Sequence, residues 1–283
     1  MLLHDFIVAR GRDMPGNLAV TSSSGSDSMT YAELGDAVRG AAGAFTALGI
    51  RPGERIGIYL NKRIQGVLGY FGASYAGAVF VPINPSLKPA QVVHILKDCD
   101  VRLLITTASQ ASLLGQELGE CEQLCALVTL DALESDAGIP ERLVTTTWDA
   151  MLASGDDLEA PVRRIETDIV AILYTSGSTG KPKGVVLTQR NMVAGALSVA
   201  SYVKNTAEDT ILAVLPFSFD AGFSQLSQGF SAGSTVVLLD YLLPRDVLRT
   251  AAKHRVTGLA GVPRNCQIGP EKCTELSYMY TGS

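Results

Sequence analysis

The chain has 283 residues, 47% hydrophobic and 18% charged, with a formal net charge of −5. So apolar a composition supports one large or two modest domains with a sizeable core and excludes a disordered chain. The acidic balance excludes a nucleic-acid binder held by phosphate contacts, which carries a basic surplus, and no block of like charge reads as a tail.

The opening MLLHDFIVARGRDMPG is too polar and too early broken for a signal peptide. The longest apolar runs, such as residues 76–83, fall short of the roughly 20 residues a membrane span needs, so a soluble cytoplasmic protein is expected. TSSSGSDS suits a surface hairpin tip. SMTYAEL predicts a short strand and then a helix from Thr30, whose spacing to Glu33 is that of a capping box; the helix stops near Gly49. A Pro-Gly turn leads to a buried strand, Arg55–Leu60, and KRIQGVLGYFGASYAG predicts a glycine-dotted helix that has to pack closely. AVFVPINP is a strand ended by Pro85, KPAQVVHILKDCD an amphipathic helix with Val92, Val93, Leu96 and Cys99 near one face, and VRLLITT a strand.

The alternation resumes with the strands CALVTL and DIVAILYTS, separated by a polar, irregular connection over residues 131–165. A glycine-rich loop follows, then the helix RNMVAGALSVASYV and the strand TILAVLPF. A helix around Gln225–Ser231, the strand STVVLL, the helix PRDVLRTAAKHR and the strand VTGLAGVP complete the order. This alternation predicts an α/β fold of stacked, largely parallel sheets with helices on their faces. Cys99, Cys121, Cys125, Cys266 and Cys273 make an odd count that argues against a disulfide framework. Cys121 and Cys125 stand one helical turn apart with no second pair or nearby histidine to complete a zinc set, so they read as reduced thiols in a helix. His4, His94 and His254 are scattered and read as surface or core residues.

The segment YTSGSTGKPKGV, Tyr174 to Val185, carries the chemistry. It is not a Walker loop, because Pro182 follows Gly180-Lys181 and Thr175 stands where the first glycine belongs, and it is not the Gly-x-Gly-x-x-Gly dinucleotide turn. Its composition still suits phosphate. Gly177 and Gly180 permit close backbone approach, successive amides can form an anion nest, Thr175, Ser176, Ser178 and Thr179 add hydroxyl donors, and Lys181 and Lys183 add charge. The bland alternative is a polar loop between a strand and a helix.

YTSGSTGKPKGV resembles the phosphate-loop motif of the adenylate-forming enzymes: acyl- and aryl-CoA synthetases, luciferases and the adenylation domains of peptide synthetases. MTYAEL and YAGAVFVPINP resemble that family's first two core motifs, and LPFSFDAGF the segment that gates its acid pocket; the likeness spans about Asp5 to Pro263. The resemblance implies an AMP-forming acid–thiol ligase that uses ATP and Mg²⁺ to activate a small carboxylic acid, with coenzyme A as the thiol acceptor. Within it Thr175 is a candidate Mg²⁺ contact, Ser176, Gly177, Ser178, Thr179 and Gly180 wrap phosphate, Lys181 offsets its charge, and Lys183 braces the loop or joins it. Phe217, Phe219 and Phe223 line the acid pocket or belong to the core. Asp220 either binds the ammonium of an amino-acid substrate, as in peptide synthetases, or starts a helix.

The family's Tyr-Gly-x-Thr-Glu segment, ribose-binding Asp, hinge and small C-terminal lid domain with its lysine do not appear in the sequence. The final RNCQIGPEKCTELSYMYTGS has no clear apolar helical period. The expected organisation is a first α/β subdomain over residues 1–165, the phosphate loop and part of a second over 166–263, and an atypical tail over 264–283. That describes a truncated ligase, with a separately encoded remainder or none; the alternative is a non-catalytic remnant or nucleotide-binding module. Truncation also predicts unpaired edges at TVVLL and GLAGV, and a region before residue 165 that is the more ordered.

Overall fold

The computed structural model describes residues 1–134, 136–176 and 182–261. The chain begins with α1 (Asp5–Asp13), β1 (Leu18–Ser22), β2 (Ser28–Thr30), α2 (Tyr31–Ala47), β3 (Arg55–Tyr59), α3 (Ile64–Tyr75), β4 (Val79–Pro82), α4 (Pro89–Asp98), β5 (Val101–Thr106) and α5 (Ala108–Leu114). After a 3₁₀ turn, Gly115–Glu120, come β6 (Ala126–Thr129), β7 (Val144–Thr147), α6 (Trp148–Ser154), β8 (Ile169–Ser176), β9 (Pro182–Thr188) and α7 (Gln189–Val203). β10 (Thr210–Ala213), α8 (Asp220–Ala232), β11 (Thr235–Leu238), α9 (Pro244–His254) and β12 (Gly258–Leu259) follow. The predicted α/β class is the class observed. No helix among the described residues is long and apolar enough to cross a membrane.

The chain divides into two compact units. One, Asp36–Asn61 with Gln65–Gln189, holds a seven-stranded sheet in the order β7-β6-β5-β3-β4-β8-β9. Its neighbours run parallel except β8 and β9, which are antiparallel. All four residues of β4 and of β6 are buried, as expected of parallel strands covered on both faces. The glycines of α3 permit the close packing that the sequence demands. A Cβ on Gly72 would lie 3.0 Å from the Ala41 methyl, and one on Gly69 would lie 3.1 Å from Ile58.

The other unit comprises Met1–Gly35, Lys62–Ile64 and the chain from Arg190. Its sheet runs β12-β10-β11-β1-β2, parallel but for the β1–β2 hairpin, whose tip is the serine-rich segment. This division differs from a single cut near residue 165, because β1 pairs with β11 more than 200 positions later. The Thr30–Glu33 capping box forms in both directions: the Thr30 amide donates to Glu33 Oε2 at 2.8 Å, and the Glu33 amide to Thr30 Oγ1 at 3.3 Å.

Three expectations are corrected. The stretch 131–165 is not merely irregular, since β7 adds to the sheet beside β6 and Thr147 caps α6 by accepting from the Ala150 amide at 3.3 Å. The polar sequence VTTT concealed an edge strand whose first two residues face solvent. Cys121 and Cys125 do not share a helix. Cys121 ends the 3₁₀ turn, its carbonyl accepts from the Leu124 amide at 3.0 Å, and Cys125 leads into β6. The strand TVVL is no edge: β10 and β1 pair with β11 on its two sides.

Candidate functional site

The glycine-rich segment joins two strands, not a strand and a helix. β8 and β9 form an antiparallel hairpin at one edge of the seven-stranded sheet, in the register Tyr174↔Gly184, Thr175↔Lys183 and Ser176↔Pro182. The β-branched run GVVLT carries the chain straight back along β8, a signal hidden by the lysines and glycines before it. Thr175 and Lys183 are thereby cross-strand partners, both exposed, at the base of the loop. Gly177, Ser178, Thr179, Gly180 and Lys181 lie outside the described residues, and Ser176 is described only as the last residue of β8.

The stem of this hairpin is fixed by residues that carry no local sequence signal. Tyr174 is buried and its hydroxyl donates to Asp98 Oδ2 at 2.6 Å, at the end of α4. Burial, and then the bond to Asp98, push the phenol far above its ordinary value, so it stays a neutral donor. Opposite it, a Cβ on Gly184 would stand 2.7 Å from Ile172 Cγ2 and 3.1 Å from Tyr174 Cζ. Glycine is what lets the tyrosine ring lie across β9. On the same helix His94 Nε2 donates to the Pro182 carbonyl at 3.3 Å. Beside Tyr174, burial pushes the Cys99 thiol up to about 11, and it donates to the Ile95 carbonyl at 3.1 Å.

LPFSFDAGF lies in the other unit, where it leaves β10 and enters α8. Its aromatic residues do not share one environment: Phe217 and Phe223 are buried, at 6% and 0% exposure, whereas Phe219 is 44% exposed at the N-cap. Asp220 is exposed in the first helical turn, where a carboxylate faces the positive end of the helix. Such a position needs no buried ammonium partner. Gln225 ties the helix to the strand end, accepting from the Leu215 amide at 3.0 Å and donating to the Leu212 carbonyl at 3.2 Å.

Lys62 is the second feature without a local sequence signal. Its side chain is only 8% exposed, and Nζ lies 3.0 Å from Asp240 Oδ1, 3.1 Å from the Val214 carbonyl and 5.8 Å from the Phe217 ring centroid. The Lys62 amide also donates to Asp240 Oδ2 at 2.7 Å. A charge this buried requires such pairing, and the pairing braces the strand end from which LPFSFDAGF departs. Among the described residues no group of three or more His, Cys, Asp or Glu side chains is placed to hold a metal ion.

A family model described as "AMP-binding enzyme" matches residues 8–269. The chain is 30% identical over 272 residues to 4-coumarate–CoA ligase 2 of Oryza sativa subsp. japonica, a match covering 92% of this chain and 48% of that protein. It is 29% identical over 239 residues to tyrocidine synthase 3 of Brevibacillus parabrevis, covering 83% of this chain and 3% of that one. Among solved structures, the inhibitor-bound N-terminal domain of FACL13 from Mycobacterium tuberculosis superimposes with a TM-score of 0.80 at 25% identity, covering 96% of this chain and 66% of the other. The chain thus spans about half the length of the rice ligase.

Proposed function

This chain belongs to the AMP-binding enzyme family, and from that premise we propose that it is the ATP-phosphate-holding part of an AMP-forming acid–thiol ligase. The observation that carries the reading is the hairpin itself. Thr175 and Lys183 stand side by side on adjacent strands, exposed, where the glycine- and hydroxyl-rich loop begins and ends. A hydroxyl and an ammonium so placed are donors for a polyphosphate. Within this chain the exposed Thr175 hydroxyl, cross-strand from Lys183, would be a contact for Mg²⁺ carried by the polyphosphate.

The chemistry has an electrostatic obstacle: an anionic acid approaches a polyanion. The carboxylate oxygen bonds to the α-phosphorus, the bond to the β-phosphate oxygen breaks, and pyrophosphate departs with the developing negative charge. Lys181, Lys183 and the loop hydroxyls lower that barrier by stabilising the departing charge. The acyl-adenylate then passes to a thiol, coenzyme A in this reading, which displaces AMP. The acid is a small carboxylic acid whose pocket is bordered by the segment from Phe217 to Phe223, with Phe219 as its exposed aromatic.

Calorimetric titration with Mg·ATP and with pyrophosphate tests the reading. The wild-type chain takes up both, and a Lys181→Ala, Thr179→Ala double variant loses most of the heat. Equal heats for the two proteins would overturn the assignment of the loop.

A further inference from the structure

His94 and Asp98 are four residues apart on α4 and so stand on one face of it, a turn apart. Each holds a different strand of the hairpin. Asp98 takes the Tyr174 hydroxyl of β8 at 2.6 Å, and His94 donates to the Pro182 carbonyl of β9 at 3.3 Å. Tyr174 is the residue before Thr175, and Pro182 the residue before Lys183. Both bonds therefore fall one position from the two exposed donors at the base of the loop.

This matters because β8 is held by β4 and by its buried side chains, whereas β9 has little beyond its pairing with β8. Among the described residues β9 is an edge strand paired only with β8, and Val185 and Val186 are 46% and 53% exposed, so neither face of its middle is covered. An edge strand with bare faces twists and frays. We propose that α4 is the positioning element of the phosphate site. His94 and Asp98 act as a two-point clasp that fixes the Thr175–Lys183 pair in binding geometry, with Tyr174, Pro182 and Gly184 as the parts it grips. The inference rests on the reading of this loop as a phosphate site. When a binding-competent arrangement is only partly populated, apparent affinity falls by that fraction. Loosening either point of the clasp thus weakens binding without touching the ligand.

The test is pyrophosphate and Mg·ATP affinity, measured by calorimetry on the whole chain, with melting temperature and amide exchange of Gly184–Thr188 followed in parallel. Tyr174→Phe removes one oxygen and keeps the ring over Gly184. His94→Leu removes the donor on the other side, and His94→Gln restores an amide donor there. Tyr174→Phe and His94→Leu each weaken binding about two- to tenfold, the span a single net hydrogen bond covers. Both raise exchange in β9, their combination weakens binding further, and His94→Gln binds within about twofold of wild type. Wild type that binds, with Tyr174→Phe and His94→Leu binding equally well whatever their melting temperatures, overturns the clasp and leaves the phosphate site standing. So does His94→Gln as weak as His94→Leu. Wild type that binds neither ligand overturns both.

Discussion

Replacing Gly222 by alanine sets two effects of opposite sign against each other. Gly222 lies inside α8, where alanine is favoured over glycine by about 0.8–1.0 kcal/mol in helix propensity. Yet α8 closes back on the chain that precedes it: a Cβ at 222 would stand 1.9 Å from the Pro216 carbonyl oxygen, 2.6 Å from the Pro216 carbonyl carbon and 3.1 Å from the Leu215 oxygen. These are backbone atoms, and no rotamer change relieves the overlap. The Leu215 amide is also bound to the Gln225 side chain, so the segment cannot retreat without straining that bond. Overpacking of this kind costs roughly 3 kcal/mol. The clash therefore outweighs the propensity gain, leaving a net loss of about 2 kcal/mol and a melting temperature lower by about 4–8 °C. Gly195→Ala is the control. It lies in α7 with nothing within 4 Å of the added methyl, so propensity acts alone and melting rises by about 2–4 °C. Thermal unfolding of the three proteins by circular dichroism decides the matter. Gly222→Ala melting at or above wild type would show that the turn from β10 into α8 is not packed as described.

Two further outcomes follow from titrating groups. The bond from the Thr30 amide, then that from its hydroxyl, hold the Glu33 carboxyl below its ordinary 4.5. The stabilisation is therefore present above the unfolded value and is lost as pH falls through the folded one. Between about pH 6 and about pH 3, Glu33→Gln loses less stability in urea than wild type does, and identical losses would remove the capping box as the cause. Burial raises both Cys99 and Cys121 to about 11, whereas Cys125 is exposed. At about pH 8 a thiol reagent followed by peptide mass mapping marks Cys125 first among these three, and rapid native labelling of Cys121 would contradict its burial.

The strands and helices of the chain were legible wherever hydrophobic period and punctuation agreed, as at Thr30–Gly49 with its capping box or at the buried strand from Arg55. β7 was hidden because an edge strand needs few apolar residues, and VTTT has only one. β9 was hidden because its valines follow two lysines and a glycine that read as loop. The glycine- and hydroxyl-rich composition of residues 175–183 was plain in the sequence, but the stem that carries it was not. Nothing local marks His94 or Asp98 as partners of residues 88 and 76 positions away. Lys62 is the same kind of case: an ordinary lysine in a linear reading, and a buried charge only once Asp240 and Val214 are brought to it. The interior place of β11 likewise depends on β1, at the opposite end of the chain.

Strand direction explains why the motif-bearing segments lie where they do. In open α/β sheets ligands bind outside the carboxyl ends of the parallel strands, where loops diverge and helices begin. β8 runs parallel to β4, so Ser176 ends at that carboxyl edge. β9 turns back antiparallel, and this reversal brings Lys183 alongside Thr175 instead of carrying the basic residues away into a crossover helix. In the other unit β10 and β11 are parallel, and both Val214–Phe219 and Asp240 follow their carboxyl ends, where Lys62 spans the two. A crossover helix directly after Ser176 would have satisfied the backbone equally well. It would also have left a single strand end, whereas the hairpin supplies two adjacent ends, with Thr175 and Lys183 at cross-strand positions whose side chains point the same way.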